Sequence, residues 1–151
     1  MLRTVGASIS PYTSLQGALS VACGRLSYTF GLNGPCLSID TACSSSLVAT
    51  HISATLLLEG QGDVSMFGGV NLTLTAFTFA VFQISGMLVM DGRCKTLDHS
   101  GDGYVRAELV ISVQMRSDSD EGDVALAVAY GSAVNQDGRS SSLTAPNGPS
   151  Q

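Results

Sequence analysis

Apolar residues recur at three- and four-residue steps early in the chain: Leu15, Ala18, Leu19, Ala22, Cys23, Leu26 and Phe30. That period predicts a helix over 14–30. Gly31-Leu32-Asn33-Gly34-Pro35 is turn chemistry and ends it. Apolar and polar residues then alternate over 36–40, as in a short strand. A second helix is predicted over 44–58, where Leu47, Val48, His51, Ile52, Thr55, Leu56 and Leu58 largely trace one buried face. Gly60 is placed to cap its C-terminus. Residues 64–70 read as a buried strand. Strand, helix and strand in succession predict an α/β layered architecture.

The pattern is less decisive further on. Residues 72–88 fit a helix or a loop around Phe77, Phe82 and Met87. A polar turn over 91–95 and a Gly/Asp loop over 98–104 follow. Residues 105–113 and 125–134 are predicted as two strands, with antiparallel pairing expected, joined by a solvated acidic loop over 116–123. Residues 135–151, rich in Gly, Ser, Pro and Asn, read as loop. No internal repeat or low-complexity linker divides the chain, and 151 residues suit one domain.

Composition sharpens this picture. Hydrophobic residues make up 44% and charged residues 13%, a balance that favours a buried core over disorder. The net charge is −5 and Lys95 is the only lysine. A nucleic-acid partner is therefore not expected, because no basic stripe exists to follow a phosphate backbone. The most apolar windows, 47–58 and 76–90, are shorter than the roughly 20 residues of a spanning helix, so no membrane span is expected. The first residues lack the apolar run of a signal peptide, and the expected location is cytoplasmic. The four cysteines, Cys23, Cys36, Cys43 and Cys94, form no Cys-x-x-Cys pair and read as free thiols. His51 and His99 are too scattered for a zinc site, so no metal is expected.

One stretch carries chemistry. Cys43 lies where the predicted strand turns into the predicted second helix. A cysteine at a helix start sits near unsatisfied backbone N–H groups and the positive end of the helix dipole. Both favour the thiolate, which is the nucleophile, and the same N–H groups suit a developing oxyanion. Ser44, Ser45 and Ser46 suit a helix N-terminus. Local physics alone favours a buried structural cysteine over a nucleophile. A serine elbow is a rival, but Gly-x-Ser-x-Gly is absent. Asp40 reads either as a group orienting Cys43 or as a turn residue.

Asp40-Thr41-Ala42-Cys43-Ser44-Ser45-Ser46-Leu47 resembles the active-site signature of β-ketoacyl synthases. The likeness is to the ketosynthase domains of modular (type I) polyketide synthases and animal-type fatty acid synthases. It runs on through Gly24-Arg25-Leu26-Ser27-Tyr28-Thr29-Phe30-Gly31-Leu32-Asn33-Gly34-Pro35, Gly68-Gly69-Val70-Asn71, Gly86-Met87-Leu88 and Asp91-Gly92-Arg93-Cys94-Lys95-Thr96. It continues through Asp102-Gly103-Tyr104-Val105-Arg106, Gly131-Ser132-Ala133-Val134-Asn135-Gln136-Asp137-Gly138-Arg139 and Leu143-Thr144-Ala145-Pro146-Asn147-Gly148-Pro149, all in family order.

The resemblance implies a partial thiolase-like α/β fold: the N-terminal, Cys-bearing half of a ketosynthase, with the first strands and the C-terminal half absent from residues 1–151. It implies acylation of Cys43, then decarboxylative Claisen condensation with a malonyl-type extender on acyl carrier protein, in polyketide or fatty acid biosynthesis. Substrates ride on the carrier protein's phosphopantetheine, and no cofactor is expected on this segment. The family's two catalytic histidines and supporting lysine fall beyond the last matched motif, and neither His51 nor His99 matches them. The chain alone is therefore expected to be inactive. The alternative is a non-catalytic remnant offering only dimer or carrier-protein contacts. By resemblance, 36–40 lies at a homodimer interface. Residues 135–139 either line the approach of the phosphopantetheine arm or form a turn. Ala107-Glu108-Leu109 stands where the family has Gly-Glu-Gly, and 114–123 is shorter than the family pattern.

Overall fold

The computed structural model describes residues 10–117, 124–142, 145 and 147–150. It divides into two compact units, Met1–Ser65 with Met115–Gln151, and Met66–Gln114.

In the first unit the predicted opening helix is broken. Helix α1 covers Thr13–Gln16 and α2 covers Leu19–Phe30. Between them Gly17 lacks a side chain to hold the helix, and Ala18 takes an extended conformation. Gly31, at φ 64°, closes α2 in the left-handed conformation, its N–H and that of Leu32 both bonding the Ser27 carbonyl. Residues 36–40, predicted as a strand, carry no strand assignment and run from the Gly34 turn towards a 3-10 turn at Ala42–Ser44. Helix α3, Ser45–Leu58, follows directly. Gly60, at φ 72°, lies two residues past its end, with its N–H on the Leu57 carbonyl, as the cap reading expected.

The predicted buried face of α3 is corrected. Ser53 and Leu57 are its buried residues, whereas Leu47 is 72% exposed and Leu58 86%. No side chain of α3 is charged, so its sequence marks no water-facing side. Residues 125–134, expected to pair as a strand, carry no strand assignment either. The expected acidic loop lies mostly at 118–123, outside the described residues.

Most of strand β1, Val64–Asn71, and of β2, Leu109–Arg116, lies in the second unit, where the two pair. Gly68 lies against Ile111 and Ser112, and the Asn71 amide donates to the Ala107 carbonyl. Rising numbers on one strand thus meet falling numbers on the other, so the pair is antiparallel. The expected pairing of 105–113 with 125–134 is therefore corrected: Leu109–Arg116 pairs with β1 instead. Gly68 is required here because a Cβ would run into the Ile111 carbonyl. Helix α4, Ala76–Ile84, resolves the ambiguous 72–88 stretch. A parallel bridge joins Leu88 to Tyr104, and Gly103 lets the two backbones meet, since a Cβ there would sit 2.7 Å from the Met87 carbonyl oxygen.

Polar contacts knit the same unit. Arg106 stacks over Phe82, 4.7 Å from the ring centroid, and donates to the Asn71 amide oxygen at 3.1 Å. Phe82 meets Tyr104 edge-on. The Glu108 carboxylate accepts from both the hydroxyl and the backbone N–H of Thr73 at 2.7 Å, which holds its pKa below the usual carboxylate range. Lys95 bridges Asp102 at 2.7 Å and Asp91 at 3.3 Å, and the two carboxylates raise its pKa, Asp102 foremost.

Candidate active site at Cys43

Cys43 is the middle residue of the 3-10 turn Ala42–Ser44, and it is solvent-exposed. The exposure removes the buried structural reading that local sequence left open. Four side chains around it hold the turn. The Asp40 carboxylate accepts the Ala42 N–H at 3.0 Å. The Ser44 hydroxyl donates to the Thr41 carbonyl at 3.0 Å and lies 2.9 Å from the Thr41 hydroxyl. Ser45 donates to the Ala42 carbonyl at 2.7 Å and accepts the Thr41 N–H at 2.9 Å. Asp40 is thus a turn-former, the second of its two sequence readings.

The backbone bends sharply to present the thiol. Ala42 has φ 56°, in the left-handed region that non-glycine residues rarely enter. Such a residue costs of order 1–3 kcal/mol and persists only where its surroundings over-determine it. Here the Asp40, Thr41, Ser44 and Ser45 bonds do so. The serines act differently from the expectation of helix capping. Ser44, at the N-cap of α3, makes no side-chain cap bond, because its hydroxyl is engaged with Thr41.

The histidines lie elsewhere. His51 is two turns further along α3, on the order of 10 Å from its start, and its Nδ1 pairs with the Ser132 hydroxyl at 2.9 Å. His99 belongs to the second unit, is fully exposed and pairs with Asp98 at 3.3 Å. In residues 135–139, the Gln136 side chain accepts the Gly138 N–H, and Asn147 donates to the carbonyls of Asp137 at 2.9 Å and Arg139 at 3.3 Å. These are turn-forming bonds. Leu143, Thr144 and Pro146 of the last motif lie outside the described residues. Among the described residues, no three His, Cys, Asp or Glu side chains are grouped to hold a metal. No described helix is long and apolar enough to cross a membrane.

An exposed cysteine on a strained turn, immediately ahead of a helix, defines an elbow of the kind that presents nucleophiles in α/β enzymes. Residues 2–120 match the family model "Beta-ketoacyl synthase, N-terminal domain", and the chain belongs to that family. Its relatives are modular polyketide synthases. Over 153 residues it is 46% identical to polyketide synthase GfsB of Streptomyces halstedii, covering 99% of this chain and 3% of that protein. Among solved structures it resembles the oxazolomycin ketosynthase domain OzmH KS7 of Streptomyces albus JA3453, with TM-score 0.64 and 35% identity over 66% of this chain and 18% of that one. It also resembles the ketosynthase from module 6 of the bacillaene synthase of Bacillus subtilis 168, with TM-score 0.64 and 35% identity over 72% of this chain and 20% of that one. The architecture is accordingly part of the thiolase-like α/β fold of ketosynthase domains. The chain spans only a small share of each of these proteins.

Proposed function

We propose that this chain is the nucleophile-bearing part of a polyketide-synthase ketosynthase, and that Cys43 is the residue that accepts the acyl group. The observation that carries this reading is the exposed Cys43 on a turn pinned by Asp40, Thr41, Ser44 and Ser45. The Cys43 thiolate attacks the carbonyl carbon of an acyl thioester on carrier-protein phosphopantetheine. The oxyanion that forms faces the positive end of α3. Collapse expels the phosphopantetheine thiolate and leaves the acyl group on Cys43. In the complete reaction, a malonyl-type extender loses CO₂ and its carbanion attacks this thioester, releasing Cys43 and a β-ketoacyl product. His51, engaged with Ser132, and His99, in the other unit, are not assigned to that second half. The acyl carrier protein is the proposed partner, and no cofactor is assigned to these residues.

Cerulenin, an electrophilic mimic of the acyl substrate, tests the assignment under reducing conditions. Selective modification of Cys43, lost in Cys43→Ala, is the expected result. Equal modification of all four cysteines would overturn it in favour of a non-catalytic remnant.

A further inference from the structure

A second thiol site lies on α2. Leu19, Cys23 and Ser27 are spaced at i and i+4, so they stack on one helix face about 5–6 Å apart. The segment that leads towards the Cys43 turn lies along that face. At one end the Ser38 hydroxyl donates to the Leu19 carbonyl. At the other the Ser27 hydroxyl donates to the Cys36 sulfur at 3.3 Å. Cys36 and Ser38, two residues apart, thus bracket Cys23 from above and below. The Cys23 thiol points back along the same face, 3.5 Å from the Ser20 carbonyl oxygen and 3.8 Å from that of Leu19. Because Ser27 is one helical turn from Cys23, its bond to the Cys36 sulfur brings Cys36 to within a turn of the Cys23 thiol. Cys23 is half-buried and Cys36 exposed, so small reagents can reach the pair.

We propose that Cys23 and Cys36 are a thiol–disulfide exchange site that closes to an internal disulfide with a low-molecular-weight disulfide such as oxidised glutathione. Hydrogen bonds from Ser38, and then from Cys36, lower the Cys23 pKa below the ordinary cysteine value, which makes it the first attacker. Its thiolate attacks one sulfur of oxidised glutathione, forming a mixed disulfide and releasing one glutathione thiolate. Cys36 gives its proton to solvent, attacks the Cys23 sulfur and releases the second glutathione. Two protein thiols are oxidised by two electrons, and one glutathione disulfide is reduced to two thiols. The bridge fastens the segment leading to the Cys43 turn onto α2. This site is independent of any role for Cys43.

The full chain, treated with oxidised glutathione in native buffer and mapped by peptide mass spectrometry, tests the proposal. The expected product is a Cys23–Cys36 linked peptide pair with the loss of two hydrogens. It disappears in Cys36→Ser, which retains glutathione on Cys23, and persists in Cys94→Ser. The same reaction in concentrated urea separates folding from chain proximity, because loop-closure entropy in an unfolded chain favours the shorter Cys36–Cys43 span. Loss of Cys23–Cys36 dominance in urea is expected. A dominant Cys36–Cys43 bridge in native buffer, glutathione adducts on all four cysteines without a bridge, or the same bridge dominance in urea as in buffer would each overturn the proposal.

Discussion

At the scale of single residues, the backbone of Ala42 deserves as much weight as the sulfur beside it. Its φ of 56° turns the chain so that Cys43 stands out towards solvent ahead of α3. A β-branched residue tolerates that conformation worse than alanine, and glycine adopts it freely. Ala42→Val is expected to cost about 1–2 kcal/mol and, by emptying the elbow conformation, to slow cerulenin modification of Cys43 about tenfold. Ala42→Gly is expected to keep the wild-type rate. Equal rates in all three proteins, followed by mass spectrometry over time, would show that the turn does not govern access to the thiol. The motif around Cys43 was legible because it is local: each of its holding bonds spans four residues or fewer. The strain at Ala42 was not legible, because alanine carries no sign of a positive φ. Nor was the Cys23–Cys36 site, which depends on how two segments lie together.

At the scale of elements, the extents of α3 and β1 were read closely, whereas the helix over 14–30 breaks at Gly17 and Ala18 and β1, read as buried, alternates exposed and half-buried residues over most of its length. The failures in strand pairing share one cause. A strand is defined by its partner, and pattern alone names none. Residues 36–40 alternate and 125–134 are mostly apolar, yet neither acquires a ladder. Residues 109–116 do so because β1 lies antiparallel to them, with Gly68 permitting the approach to Ile111. Gly68→Ala is therefore expected to force the strands apart and cost roughly 1–3 kcal/mol, as overpacking does. Amide hydrogen exchange checks this: protection along β1 and β2 should fall while that of α3 is unchanged. Unaltered protection in β2 would contradict the steric account. Leu109, where the family has glycine, sits at the first position of β2 and is exposed, so its larger side chain meets no crowding there.

At the scale of the whole molecule, large apolar side chains of α3 and α4 stand exposed among the described residues. α3 and α4 contain no charged residue, and a helix apolar all round belongs in an interior. Yet Leu47, Leu58, Phe77 and Ile84 are all more than 70% exposed. Surfaces of this kind mark interaction sites or association liabilities. The isolated chain is expected to bind a hydrophobic dye such as ANS strongly, and to show no condensation with acyl- and malonyl-carrier proteins. Sustained turnover by this polypeptide, or a dye response no larger than that of a compact soluble domain, would contradict this view. The sequence by itself determined the family and the shape of the Cys43 turn, whose holding bonds are short in sequence. It also determined most of α2 and α3, because a helix satisfies its backbone internally. Tertiary structure alone decided which strand pairs with which, which side of α3 is hidden, and that Cys36 meets Ser27 on α2. Those outcomes depend on segments distant along the chain meeting in space, and a one-dimensional pattern does not record that meeting.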